Sequence, residues 1–161
     1  MRRLNAVATG LAVALAAFAV PSSAAACTCV AASNPTPAEV RKAVQDELNR
    51  SALVFVGEVV TVDRFEAVLK VATAWKDKDK APETVRMLQA RRMPDGTMVI
   101  NTCDYTFDAG AKYLIFASTS TEGGFRAFRC GLTAPVAAAA VTIRILDELV
   151  KRDAVSAVSR E

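Results

Sequence analysis

The chain has 161 residues, 20 Lys and Arg against 17 Asp and Glu, four cysteines and no histidine. Without an imidazole there is neither a Ser-His-Asp hydrolase nor a metal-dependent hydrolase built on histidine ligands, because both need that side chain as base or ligand. A net charge of +3 with no basic stripe gives no electrostatic footing for nucleic acid, and none is expected as a partner.

The first segment reads as a signal peptide. Arg2 and Arg3 precede an apolar stretch from about Ala6 to Val20, and Pro21-Ser22-Ser23-Ala24-Ala25-Ala26 follows. Thr9 and Gly10 interrupt the stretch, which is shorter than the roughly 20 apolar residues that cross a bilayer, so no membrane span is expected. Ala24-Ala25-Ala26 meets the small-x-small rule for cleavage and makes Cys27 the first residue, although Ser22-Ser23-Ala24 meets it too. Cleavage after Ala26 leaves 135 residues with 18 basic and 17 acidic side chains, enough for one near-neutral domain with its own core. The expected location is secreted or periplasmic.

The remaining chain opens on Cys27-Thr28-Cys29-Val30 and a polar turn. Thr36-Pro37-Ala38-Glu39 is a capping box with Pro at the first helical position, and Val40, Ala43, Val44 and Leu48 recur at helical spacing, which predicts a helix over 37–50. The β-rich run from Leu53 to Val62 carries Gly57 in its middle, the mark of a bulge or tight bend. Further strands are expected at 66–75, 83–89, 98–101, 112–118 and 124–129, separated by turn formers such as Pro94-Asp95-Gly96 and Gly123-Gly124. From about 133 the stripe Val136, Ala139, Ala140, Ile143, Leu146, Leu149 and Val150 predicts an amphipathic helix to about Lys151. The expected organisation is a signal peptide over 1–26, one domain over 27–151 and a flexible tail over 152–161. The expected fold is mainly β with flanking helices: an OB-like small barrel with a disulfide-tethered N-terminus.

An even number of cysteines in a short exported chain implies two disulfides. Pairing Cys27 with Cys29 across one residue would force poor bridge geometry. Either remaining connectivity ties the terminus to the barrel through loops of roughly 75 to 100 residues, worth on the order of 4 kcal/mol each in the chain-entropy model. Both act on a terminus that would ordinarily fray, which points to rigidity there as a purpose. Other uses of the cysteines fit less well. Export works against a zinc-thiolate site, and no basic residue flanks Cys27 or Cys29 to favour a thiolate. A lipid anchor on Cys27 is disfavoured, because Ala24 stands where lipoproteins carry a larger aliphatic residue and lipidation would leave an odd cysteine. Glu58, Asp63 and Asp104 show no catalytic spacing and read as solvated surface charge, so neither an enzyme nor a cofactor is expected.

In order along the chain, Cys27-Thr28-Cys29-Val30, the run L-V-F-V-G-E-V at 53–59, Trp75-Lys76, Cys103, Gly110-Ala111-Lys112-Tyr113-Leu114-Ile115-Phe116, Phe128-Arg129-Cys130 and a closing helix resemble the tissue inhibitors of metalloproteinases. The resemblance extends to the wider netrin-like domains, including shorter bacterial members. It implies an OB-type barrel with Cys27 bonded to Cys103 and Cys29 to Cys130. It also implies a partner, a zinc metalloendopeptidase, whose metal the free α-amine and carbonyl oxygen of Cys27 chelate in trans, displacing the water it would activate. Thr28 would then enter the pocket beside the metal, flanked by Cys29, Val30 and a ridge of Thr102, Cys103 and Asp104. Asp104 stands where the family commonly has Gly. Since a fold does not fix a function, the alternative is a cell-envelope binding or structural module on the same barrel, without a protease target.

Overall fold

The computed structural model describes residues 27–29, 33–76 and 81–158, with side chains described to Arg152. The signal peptide expected over 1–26 and the contact expected of Val30 lie outside the described residues.

The first helix, α1 (Pro37–Arg50), starts as its sequence dictates. Thr36 Oγ1 accepts from the Glu39 N–H (3.3 Å) while the Glu39 carboxylate accepts from the Thr36 N–H (2.7 Å), so two of the orphan amides at the helix start are satisfied reciprocally. At the other end Lys76 Nζ donates to the carbonyl oxygens of Leu48 (3.1 Å), Asn49 (2.9 Å) and Ser51. A cation placed there satisfies the last carbonyls and opposes the negative end of the helix dipole.

Five strands close into the expected OB-like barrel: β1 (Leu53–Val62), β2 (Glu66–Ala74), β3 (Thr84–Leu88), β6 (Lys112–Thr119) and β7 (Phe125–Arg126). The order around the ring is β1-β2-β3-β7-β6, and β6 pairs back onto β1. All neighbours are antiparallel except β3 and β7, which run parallel and share the one pair Met87 and Phe125. The short β8 (Ala134–Pro135) adds to β6. The predicted strand at 98–101 lies outside the barrel as β5 (Met98–Val99), hairpinned onto β4 (Arg91–Arg92).

The first half of β1 and β6 from Tyr113 to Ala117 are covered on both faces, which is why these stretches read as unbroken apolar runs. Leu53, Phe55, Tyr113 and Ile115 fill the barrel with Leu69, Val85 and Met87, while Val54, Leu114 and Phe116 face the helices with Val44, Leu48, Leu146 and Leu149. The closing helix, α2 (Ala140–Val158), starts later than the apolar stripe predicts, because a 3₁₀ turn occupies Val136–Ala138. It also continues beyond Lys151, since no Gly or Pro interrupts 152–158, so that much of the expected tail is helical. Arg41 Nη1 to Glu148 Oε2 (2.6 Å) joins the two helices, and Trp75 Nε1 donates to Asp147 Oδ1 (2.7 Å), joining β2 to α2. Among the described residues no helix is long and apolar enough to cross a membrane.

Gly57 lies at a register shift between β1 and β2. A Cβ there would sit 2.8 Å from Phe55 Cε2 and 3.2 Å from Leu69 Cβ and from the Lys70 carbonyl, so the strand needs the missing side chain for the barrel to bend. Gly57→Ala is expected to cost about 1–3 kcal/mol through overpacking. The check is a lower urea midpoint at unchanged slope; an unchanged midpoint would show that the neighbours can give way.

Candidate functional site

Cys27 is bonded to Cys103 and Cys29 to Cys130, with Cα–Cα distances of 5.2 and 5.1 Å, and no cysteine among the described residues is free. Of the two connectivities that chain geometry allows, this is the one the family resemblance implies. Sγ of Cys27 lies 3.7 Å from Sγ of Cys130 in the other bridge, so the two bridges are in contact. The sulfurs of Cys27, Cys29 and Cys130 converge, but with both bridges closed they offer no thiolate to a resident metal. Cys27 is half-buried, and Thr28 and Cys29 are exposed.

Two loops carry this terminus. In the first, the Asn101 side chain accepts from the Cys103 N–H (3.0 Å) and its carbonyl accepts from the Asp104 N–H (3.0 Å), folding 101–104 into a tight turn. In the second, the Arg129 N–H donates to the Cys103 carbonyl (2.9 Å), and its side chain donates to the Asp104 carbonyl (3.2 Å) and to Thr106 Oγ1 (3.0 Å). The Tyr105 N–H donates to the Ala127 carbonyl (2.8 Å). The two cysteine-bearing segments are thus zipped together below the terminus.

Asp104 is neither on the ridge nor solvated. It is 3% exposed, and its carboxylate accepts from Arg126 Nη1 at 2.9 Å. The expectation of a contact residue or a surface charge fails here because Arg126, itself 5% exposed, supplies a buried partner. Burial pushes the Asp104 carboxyl above the usual carboxylate range, against the pull of Arg126 and Arg91. Arg126 Nη2 also donates to the Ala90 carbonyl (2.6 Å) and to Glu122 Oε1 (3.2 Å). Glu58 and Asp63 are exposed as expected; Glu58 pairs with Lys112 at 3.5 Å, and Asp63 Oδ1 accepts from the N–H groups of Phe65 and Glu66.

Neither a family model nor a curated protein matches the chain.

The segments that hold the terminus carry exposed apolar residues that the sequence does not single out. Met93 (40%), Val99 (44%), Ile100 (50%) and Phe128 (45%) make up more than half of the large hydrophobics exposed among the described residues, and all lie on or beside the segments leading to Cys103 and Cys130. Met93, Val99 and Ile100 line a shallow groove of about 340 Å³ with Arg91, Asn101 and Thr102, so Thr102 sits at the edge of apolar surface. The turn Pro94-Asp95-Gly96 is the sequence signal of a chain reversal here, and it gives no hint of the exposure of Met93, Val99 and Ile100.

Glu122 fastens the hairpin: its Oε2 accepts from the Arg92 N–H at 2.8 Å. That bond is the main cause holding the Glu122 carboxyl below its ordinary 4.5, with Arg126 and Arg91 pulling the same way. A depressed carboxylate pKa means that the interaction is present above the ordinary value and is lost as pH falls through the lower, folded one. The Arg92 amide proton resonance should therefore titrate with an acid midpoint below 4.5, and Glu122→Gln should abolish that titration. A flat Arg92 resonance in the unsubstituted protein would rule out the bond in solution.

Proposed function

We propose that this chain is an exported inhibitor of zinc metalloendopeptidases, a short TIMP-like, netrin-like protein that acts through a terminus beginning at Cys27. The observation that carries this reading is the pair of touching bridges that fix positions 27 and 29 on the barrel beside an exposed apolar rim. Binding a folded partner at such a place forgoes the ordering entropy that a loose tail would lose.

The chemistry follows from the first residue. After cleavage behind Ala26, the amine of Cys27 has a reference pKa near 7.7 to 8.0, so an appreciable fraction is neutral and holds a free lone pair at neutral pH. Amine nitrogen and carbonyl oxygen of one residue close a five-membered chelate on the partner's zinc and take the place of its water. Thr28 offers a small side chain to the pocket next to the metal, and Thr102 with the groove of Met93, Val99 and Ile100 offers apolar surface to the rim around it. The same reading places the protein outside the cytoplasm, where its disulfides persist.

The test compares two forms of the oxidised protein, one beginning at Cys27 and one beginning at Ala25. The first is expected to slow thermolysin or a metzincin endopeptidase at micromolar concentration, and the second, whose Cys27 nitrogen is an amide, to lose at least 100-fold in potency. Equal potency of the two forms would sink the chelation mechanism. No effect of either form on such a panel would favour the cell-envelope module.

A further inference from the structure

We infer that Arg126 is the positioning residue of the N-terminal site: by bonding Asp104, Ala90 and Glu122 at once, its guanidinium sets where Cys27 and Thr28 stand. This rests on the reading of that terminus as the working surface.

The inference starts at the weakest seam of the barrel. β3 and β7 share a single ladder pair, Met87 with Phe125, whereas β1 and β6 share six. Arg126 is the next residue along β7, and its Nη2 reaches the Ala90 carbonyl just past the end of β3 at 2.6 Å. The side chain thus continues across the seam where the backbone ladder stops. Gly124 lets the strands approach there, since a Cβ would meet the Arg86 carbonyl at 3.0 Å and its φ is +78°.

Both cysteine-bearing loops and the hairpin connect to this one group. Asp104 follows Cys103 directly, Arg126 stands four residues before Cys130, Ala90 opens the hairpin, and Glu122 holds the Arg92 N–H. A planar fork whose donors are engaged in several directions fixes relative orientation, which an ammonium on a flexible stem would not. Stability alone would not call for it. Apolar residues of similar volume commonly replace a buried ion pair at no cost, so retaining both buried charges at this spot fits a demand for geometry.

The decisive variant is the double substitution Asp104→Leu with Arg126→Met in the oxidised protein beginning at Cys27, because it removes the directional bonds and both deeply buried charges, while Glu122, partly exposed, keeps its bond from the Arg92 N–H. Its thermal midpoint is expected to stay within a few degrees of the parent. The Asp104, Tyr105 and Arg129 amides should exchange at least ten-fold faster while those of β1 stay protected. The backbone order parameter of Thr28 should fall from about 0.85 to below about 0.6. Potency against an endopeptidase that the parent slows should drop at least ten-fold. Unchanged Thr28 order and unchanged local exchange would overturn the inference. If the parent slows no endopeptidase, the functional reading fails, and the order parameter and exchange still decide whether Arg126 positions the terminus. Should the double variant not fold, Arg126→Lys keeps the charge and loses the fork; it is expected to loosen Thr28 in the same direction, and an unloosened Thr28 there overturns the inference equally.

Discussion

Closure of the sheet depends on β1 serving two neighbours, whose ladders overlap over Phe55–Glu58. It pairs with β2 from Phe55 to Val62 and with β6 from Leu53 to Glu58, so Phe55–Glu58 is paired on both edges, and the first half of the strand is covered on both faces. A strand in that position must be apolar at consecutive positions and must bend without a side chain in the way. The run Leu53-Val54-Phe55-Val56-Gly57 meets both demands. The helices follow from the outward half of the same residues, because Val54, Leu114 and Phe116 need a second layer to cover them. Lys76 and Trp75, at the end of β2, then fix the helices to that layer, Lys76 through three carbonyls at the end of α1 and Trp75 through Asp147 of α2.

The terminus is built on the opposite logic. It stands on two covalent bonds to loops that hydrogen bonds hold together at the part of the barrel where strand pairing is thinnest. β7 is two residues long, β3 meets it at one pair, and the cysteine-bearing loops leave from that region. A seam of this kind leaves backbone groups free to carry loops, and it must be secured by side chains instead. Arg126, Asp104 and Arg129 supply that security between residues 101 and 131.

The parts legible in the sequence are those whose signal is local. The capping box Thr36 to Glu39 marks α1, the apolar runs 53–59 and 113–117 mark the doubly buried strands, and Gly57 marks the bend. The cysteine pairing is not local: loop lengths left two connectivities equally open, and only the resemblance of the ordered motifs distinguished them. Asp104 was misread because burial of a carboxylate depends on a partner 22 residues away, and nothing near Asp104 announces Arg126. The hairpin of β4 and β5 was missed as a separate unit because Arg91-Arg92 and Met98-Val99 are too short to show alternation. The late start of α2 escaped for a related reason, since Val136 and Ala139 fit a helical stripe as well as they fit a 3₁₀ turn leading into one.

Disulfides and the buried pair divide the work of holding the terminus. A bridge stabilises chiefly by restricting the unfolded chain, and it fixes a distance in the folded one while leaving rotation about its own bonds to be settled by other contacts. Two bridges separated by one residue restrict that rotation strongly, provided their anchors are themselves immobile relative to each other. Cys103 and Cys130 lie on different loops, so their mutual placement is set by the hydrogen bonds between 103–105 and 127–129 and by the guanidinium beneath them. Without that foundation, both bridges would remain closed and the first residues would move with two independently drifting loops. Under the proposed chelation little of this would be tolerated, because nitrogen and oxygen would have to reach a partner's metal together with a side chain aimed into the adjacent pocket. On these grounds Asp104, where the inhibitors that the sequence resembles commonly have glycine, anchors its loop through Arg126.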